Sequence, residues 1–564
     1  MADSGPPHSP PGSPGGGGKS SQGLRGFRVN ATMPEHVGTE ISKRYIIPSR
    51  EIAAGGYGKV FLAEDRRVPE RKVAIKKVVV FDQQKKADFK REVDITKELD
   101  HPNICKLLET YEQGRFMFFV MEYCAGGEVF ERIMDQGRIS EQTSADIVRQ
   151  VVAALVYAHS RGIAHRDMKP ENICFCSENP DDNHVKVIDW GLGFFFGMAR
   201  MSSAVGSLTY AAPEVLEARE SSGYTSACDV WSVGVVTYVM LCGKPPFWGN
   251  YQEQLSRMKQ ESYPMSDASW QAVSRQGKDF IRSVLRAKPS QRPPITEVLN
   301  NPWLRMKASV TSPLVSEQIL RNMKQFSAAS HFYSICVSSV ARQLDHSNLR
   351  DVHKVFSDLD ANGDGVLDVH EVRTGFKKIF GEKSEQLQGI EEMFASLDLD
   401  GSGTIDYTEF CAAGIGEHLS QQENVLWAAF KSFDVGNDDG LISKDEIKEV
   451  LRRGDVNQVW SPEVCESVLE EVFKKFDTDG DGTINFDEWL RLMRESAGRH
   501  ANDMEGDDET KQVATLKAGA IDGRRGPGHF DRTYKVLAEM DKKPSKKSWR
   551  LCGCIGRMCS PRER

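Results

Sequence analysis

Between residues 351 and 496 one short pattern comes round four times: a run of oxygen-bearing side chains, a glycine at its centre and a glutamate at its end, flanked by helical apolar stripes. The central glycines are Gly365, Gly403, Gly440 and Gly482, spaced 37 to 42 residues apart. A unit of that length, one helix, a polar loop and a second helix, cannot bury its apolar faces alone. It folds by stacking on a neighbour, which confines this stretch to a helical domain of paired units.

The loops also specify a ligand. Calcium takes roughly six to eight hard oxygens, and a loop of this design supplies them from alternate positions and from a final carboxylate. Loop 360–371 offers Asp360, Asn362, Asp364, the carbonyl of Val366, Asp368 and Glu371. Loop 398–409 offers Asp398, Asp400, Ser402, the carbonyl of Thr404, Asp406 and Glu409. Loop 477–488 offers Asp477, Asp479, Asp481, the carbonyl of Thr483, Asn485 and Glu488. Leu367, Ile405 and Ile484 suit the short strands that pair such loops. The remaining loop differs. Gly440 and Glu446 fix its register and leave Asn437, Asp439 and the carbonyl of Leu441 as donors, but Val435 stands in first place and Asp434 comes one residue early. Either the loop bulges to recruit Asp434 or the site is weak or empty; the second reading is preferred, with a structural partner as the plainest role.

Residues 44–304 carry a different pattern. Strand-like runs come early, in VFLAE, RKVAIKKVVV and FMFFVMEY, and long helical periods such as Ser140–Ser160 and Asp229–Cys242 come later. A small sheet-bearing lobe followed by a larger helical lobe is predicted. AAGGYGKV at 53–60 lies between two of the strand-like runs, and its glycines let backbone approach phosphates. VAIK puts Lys76 on a strand and FKREV puts Glu92 on the next helix. HRDMKPEN supplies Asp167, Lys169 and Asn172, and IDWG supplies Asp189. Together they make a charge clamp, two metal ligands and a carboxylate near an attacking hydroxyl, which is what phosphoryl transfer needs.

In this order and spacing, across about 260 residues, these elements resemble the eukaryotic protein-kinase family. The resemblance implies an ATP site lined by Ala53, Gly55, Gly58, Val60, Ala74, Lys76, Glu122, Cys124 and Glu128, with Met121 guarding the pocket behind the adenine. It implies that Lys76 pairs with Glu92, that Asp167 is the catalytic base assisted by Lys169, and that Asn172 and Asp189 hold Mg²⁺. Glu214 and Arg292 form a structural ion pair, and Asp229 braces the catalytic loop. Lys169 and Ser207 point to Ser/Thr specificity; Glu128 and Glu171 point to substrates with a basic residue upstream of the target hydroxyl. The chain departs from the pattern three times. Ala53 replaces the first glycine, and Trp190 follows Asp189 where phenylalanine is usual. The segment before Glu214 is apolar and lacks any carboxylate for Arg166. Ser202 or Ser203, once phosphorylated, would supply that charge; an arrangement needing no phosphate is the alternative.

Catalytic motifs and four loop units on one chain resemble the calcium-dependent protein kinases of plants and protists, over roughly residues 44–496. The fold class implied is α+β: a bilobal protein-kinase fold, an antiparallel sheet with one helix in the N-lobe and a helical C-lobe, followed by an all-α calmodulin-like domain of paired EF-hands. The expected division is a disordered leader at 1–43, the kinase domain at 44–304, an autoinhibitory junction at 305–350, the calmodulin-like domain at 351–496 and a polar tail at 497–564. In that family the junction blocks the active site at rest and calcium pulls it away. Ile319, Met323, Phe326, Phe332 and Ile335 form the stripe an opened groove would grip, while Arg321, Lys324 and Arg342 are few for a pseudosubstrate. ATP, Mg²⁺ and Ca²⁺ are the expected cofactors. A catalytically inactive calcium-sensing scaffold competes with this reading, against the presence of Lys76, Asp167, Asn172 and Asp189.

A net charge of −8, with many of the acidic residues between 358 and 510, argues against a nucleic-acid partner. The partners expected are protein substrates, and the chain is expected to be a monomer. Twelve scattered cysteines read as free thiols in a reducing compartment. The beginning MADSGPPHSPPGSP has no apolar core, so no secretion signal is expected, and Ser9 and Ser13 precede prolines as candidate phosphorylation sites. The longest apolar stretch, Val230–Cys242, is shorter than the ~20 residues a spanning helix needs. At the other end Lys542, Lys543, Lys546, Lys547 and Arg550 accompany Cys552, Cys554 and Cys559. A cytoplasmic location with reversible membrane attachment through those cysteines is one reading, and a disordered basic tail is the other. Zinc binding by the three tail cysteines is set aside.

Overall fold

The computed structural model describes residues 33–493 except 56–57, 197–200, 202–207, 219–222, 306–311, 330, 417–422, 436–438, 454–461 and 492. Expectations for most of the leader, Ser202, Ser203, Ser207, Asn437 and the C-terminal tail lie outside the described residues.

The N-lobe is one curled sheet of seven strands: β1 (Glu35–Val37), β2 (Tyr45–Ile46), β3 (Ala53–Gly55), β4 (Gly58–Asp65), β5 (Lys72–Val79), β6 (Leu107–Gln113) and β7 (Phe116–Glu122). Their order is β1-β6-β7-β5-β4-β2, with β3 paired to β4. All neighbours are antiparallel except β1, which lies parallel to β6 with Glu35 opposite Thr110. This corrects the expected boundary of the leader at residue 43. Met33 and Ile41 are buried, and His36 stacks on Tyr111 and bonds the Glu109 carboxylate at 3.1 Å. The few apolar residues of 33–43 dock on an existing sheet, and the Pro/Gly-rich run before them hides that signal. Helix α1 (Gln83–Lys97) crosses this sheet, capped by Asp82, whose side chain accepts from the Lys85 amide.

The C-lobe is built around α2 (Glu141–Ser160) and α3 (Ala227–Cys242). In α3 the apolar sequence is hydrophobic all round, and every residue from Cys228 to Cys242 is buried, as a central core helix requires. The hairpins that carry the active-site loops are β8 (Ile163–Ala164) with β11 (Phe194–Phe195), and β9 (Ile173–Phe175) with β10 (Val185–Val187).

The junction is helical. Helices α4 (Pro313–Phe326) and α5 (His331–Gln343) enter the core of the loop-repeat domain, where Ile319, Met323, Phe332 and Ile335 are buried and Phe326 packs against them. Helix α6 (His346–Leu359) opens the first repeat, earlier than the predicted start at 351. The repeats pair two by two. Leu367 and Ile405 exchange backbone hydrogen bonds of 2.9 and 2.8 Å; β12 (Leu441–Ser443) and β13 (Thr483–Asn485) join the other two loops.

The junction and the loop-repeat domain pack against the kinase domain at Arg67, Arg71, Asp100 and Leu107. The Thr408 amide donates to Asp100 at 2.9 Å, and the Arg67 guanidinium lies 3.5 Å from the Trp427 ring centroid. Arg342 donates to the Leu107 carbonyl at 2.7 Å, and Arg71 reaches Gln343.

Candidate active site and calcium loops

The sheet and α1 bring the phosphoryl-transfer residues to one cleft. Lys76 projects from β5, and its ammonium lies 2.6 Å from Glu92 and 2.9 Å from Asp189. Burial alone would lower its pKa; the two carboxylates outweigh it and hold Lys76 protonated. Asp189 has a left-handed backbone at φ 60°, which turns its carboxylate toward Lys76. The same ion pair holds its pKa below the usual range against burial. Trp190 is buried beside the His165 ring, with centroids 4.6 Å apart, so the larger aromatic fits the core.

The catalytic loop is held from below. Asp229 accepts from the His165 and Arg166 amides at 2.9 and 2.8 Å and bonds His159 at 2.8 Å. Asp167 is buried; its Oδ2 meets the Lys169 ammonium at 2.5 Å and the Asn172 amide at 3.2 Å. Glu214 and Arg292 form a bidentate pair of 2.6 and 2.8 Å.

Arg166 is hydrogen-bonded among the described residues, while Ser202 and Ser203 lie outside them. Its Nε donates to the Leu192 carbonyl at 2.6 Å, and Nη1 donates to the Tyr224 hydroxyl at 3.2 Å. The Phe194 ring centroid lies 5.0 Å from its guanidinium. The guanidinium thus meets Leu192 and Phe194 of the apolar segment and Tyr224 beyond Glu214.

Ala53 pairs with Val60 and Gly55 with Gly58 across the nucleotide-loop hairpin. Gly58 has φ 138°, and a Cβ there would come 2.4 Å from the Lys77 carbonyl, so this position needs glycine. Ala74 lies on β5 opposite Met121. The Glu122 side chain bonds the Lys106 amide at 2.6 Å and Lys186 at 2.7 Å, and its own amide donates to the Lys106 carbonyl at 3.1 Å. Lys106 and Lys186, both buried, carry no motif and were not foreseen.

Beside the catalytic loop lies an acidic pocket. Burial, then Glu131 and Glu171, pushes the Glu128 carboxyl up to about 7. Glu171 is also raised by burial, and its Oε2 is buried without a hydrogen-bond partner among the described residues.

The four loops share a turn: Gly365, Gly403, Gly440 and Gly482 have φ between 81° and 89°. In three, the first aspartate accepts from that glycine's amide: Asp360 from Gly365 at 3.0 Å, Asp398 from Gly403 at 2.9 Å and Asp477 from Gly482 at 3.0 Å. The last glutamate ties the two loop ends together. Glu371 accepts from Ala361 and Asp368, Glu409 from Leu399 and Asp406, and Glu488 from Thr478 and Asn485. One carboxylate oxygen each from Asp398, Asp400 and Glu409 lie within 4.8 Å of one another, as do those of Asp477, Asp479 and Glu488. Burial, then Asp364, pushes the Asp360 carboxyl up to about 7, a crowding that a dication relieves. These donor sets fit Ca²⁺.

In the third loop Asp434 takes the first aspartate's place and accepts from Gly440 at 2.9 Å. The same oxygen receives the Lys431 ammonium at 2.5 Å, with both side chains buried. A built-in cation already meets this carboxylate.

Residues 47–304 match the protein kinase domain family, and residues 349–413 and 423–495 each match an EF-hand domain pair. Calcium-dependent protein kinase 5 of Plasmodium falciparum is 34% identical over 459 residues, 80% of this chain and 78% of that protein. Calcium-dependent protein kinase 15 of Oryza sativa is 32% identical, over 79% of this chain and 81% of that protein. Calcium-dependent protein kinase 33 of Arabidopsis thaliana is 30% identical, over 80% and 85%. The catalytic domain is that of a serine/threonine protein kinase using ATP and Mg²⁺, and the paired EF-hands bind Ca²⁺. With one catalytic domain, two EF-hand pairs and relatives matched along most of their length, the chain belongs to the calcium-dependent protein kinase family.

Proposed function

We propose that this kinase transfers the γ-phosphate of ATP to Ser or Thr beside a basic residue, and that calcium loading of the EF-hands governs how the junction covers the cleft. The observation that carries it is that two conditions hold together. The Lys76–Glu92–Asp189 clamp is closed, and the apolar stripe of α4 and α5 lies inside the EF-hand core. Asp167 orients the attacking hydroxyl and takes its proton, with Lys169 beside it. Asn172 and Asp189 are the ligands for Mg²⁺, which neutralises phosphate charge when bound. Calcium favours the grip on α4 and α5; without it the junction is free to move onto the cleft. Hydrogen exchange of the full chain tests this. Residues 313–343 are expected to be more protected with calcium than under chelation, and equal protection in both contradicts the reading.

The acidic pocket supports the basic preference. A raised carboxyl is neutral below its pKa, so Glu128 loses its attraction for a substrate arginine as pH falls through about 7. The KM for an arginine-containing peptide is expected to rise roughly tenfold between pH 8 and pH 6. Glu128→Gln is expected to flatten that dependence; an unchanged profile in the variant rejects Glu128 as the contact.

The third EF-hand is structural, because Lys431 stands in for the ion. Calorimetric titration is expected to count three Ca²⁺ per chain, and a fourth site of similar affinity counts against the Lys431–Asp434 explanation. Membrane attachment through Cys552, Cys554 and Cys559 is supported by the tail's sequence alone. Replacing all three by Ser is expected to release the protein from membranes on fractionation.

A further inference from the structure

We propose that Met33 and Glu35 of the leader are positioning residues for phosphoryl transfer, which dock helix α1 on the sheet and so hold Glu92 against Lys76. Both precede residue 47, where the match to the protein kinase domain begins.

Helix α1 has little apolar surface of its own. Its sequence QQKKADFKREVDITK is mostly charged or polar, and only Val93 and Ile95 are buried. A helix of this kind takes its position from tertiary packing, because its own turns hold it weakly. Met33 supplies part of that packing. It is 1% exposed and shares one apolar cluster with Val93, with Leu107 of β6 and with Phe119 of β7. Phe89, one turn before Val93, packs on the same cluster, its ring centroid 4.3 Å from that of Phe119. One turn after Val93, Lys97 bonds the Glu35 carboxylate. Phe89, Val93 and Lys97 recur every four residues and form one stripe down the helix. Glu92 adjoins the middle of that stripe, with its carboxylate 2.6 Å from the Lys76 ammonium.

The leader can hold α1 because it is itself held. The Pro34 carbonyl accepts from the Thr110 amide at 3.0 Å, and the Gly38 amide donates to the Glu112 carbonyl at 2.9 Å. His36 lies on Tyr111 and bonds Glu109, which also receives Arg44 at 2.8 Å. At the start of α1 the Lys86 ammonium meets Glu112 of β6 at 2.5 Å. The Lys86–Glu112 and Lys97–Glu35 pairs therefore tie both ends of α1 to the edge where β1 joins β6. The contacts at Val93 and Lys97 depend on the leader.

Loss of those contacts frees α1 to carry Glu92 away from Lys76. The buried ammonium then keeps only Asp189 of its two carboxylates. The damage falls on the phosphate clamp and leaves the peptide site alone, so turnover suffers and the peptide KM does not.

Peptide phosphorylation by the full chain is measured at saturating calcium and ATP, at a temperature where thermal unfolding shows each variant folded. Met33→Ala is expected to lower kcat about tenfold, to leave the peptide KM within about twofold, and to speed hydrogen exchange across residues 83–97. Met33→Leu, which refills the site, is expected to bring kcat back within about twofold of the parent. Glu35→Lys and Lys97→Glu are each expected to lower kcat about threefold, and the double reversal to recover it. The Glu35 side chain is 45% exposed, so the charge reversals test the proposal even where Met33→Ala does not fold. A folded Met33→Ala with parental kcat overturns the proposal. So does a Met33→Leu as slow as Met33→Ala, or a double reversal no faster than either single variant.

Discussion

Asp167→Asn is expected to lower phosphate transfer to a peptide about a thousandfold, within the range that loss of a positioned acid–base group produces. The carboxylate is buried and shared between the Lys169 ammonium at 2.5 Å and the Asn172 amide at 3.2 Å. An asparagine keeps the shape but removes the charge that attracts the hydroxyl proton. It also sets an N–H against Lys169 or Asn172, both of which are donors. Because the Asn172 amide also bonds the Asp167 backbone carbonyl at 2.8 Å, the loop itself is expected to survive. Thermal unfolding close to that of the parent, with activity near background, is the expected pair of results. A folded variant retaining a tenth or more of the parent rate contradicts the role of Asp167.

The second large effect lies in the EF-hands. Exchanging Glu371, Glu409 and Glu488 together for Gln is expected to leave the kinase at its calcium-free activity at every calcium concentration. Each glutamate is the one residue that bonds backbone amides at both ends of its loop. Its replacement removes a charge and a bidentate oxygen pair, on the order of a hundredfold in affinity per site. A nearly complete switch needs about 5.5 kcal/mol of differential binding. Divided over three sites, that is about 2 kcal/mol each. A single exchange is therefore expected to shift and flatten the calcium dependence, and the triple exchange to abolish it. A triple variant still activated by calcium places the sensor elsewhere.

The catalytic residues and three calcium loops were legible because each is a compact token whose charges and spacing carry the chemistry. HRDMKPEN brings Asp167, Lys169 and Asn172 together within one loop, and loop 477–488 names its own ligands. What was hidden depends on partners far along the chain. β1 becomes a strand only because β6 offers an edge, and Pro/Gly-rich surroundings mask it. The sequence leaves open whether Asp434 is recruited; the bond to Gly440 and the pairing with Lys431, three residues before it, appear only once the helix ends. The contacts of Arg166 with a backbone carbonyl and the Tyr224 hydroxyl leave no mark in a charge pattern. The junction stripe was readable as apolar, but its place inside the EF-hand core is a property of packing.

The proposed coupling between calcium and catalysis rests on contacts between the calcium loops, the junction and the kinase domain. The second calcium loop ends in a helix whose Thr408 amide bonds Asp100, between α1 and β6, and Gly365 of the first loop lies against His101 and Tyr157. Arg342 of the junction bonds the Leu107 carbonyl on β6. These contacts converge on the segment that joins α1 to the sheet, which is where the proposed coupling acts.

The most direct measurement is phosphate incorporation into a basic peptide by the full chain, with ATP and Mg²⁺ fixed and free calcium varied from strong chelation to saturation. The account predicts near-background activity under chelation and a steep rise over about 10⁻⁷–10⁻⁵ M calcium, the range of sensor EF-hands. Equal rates at both ends of the titration contradict it.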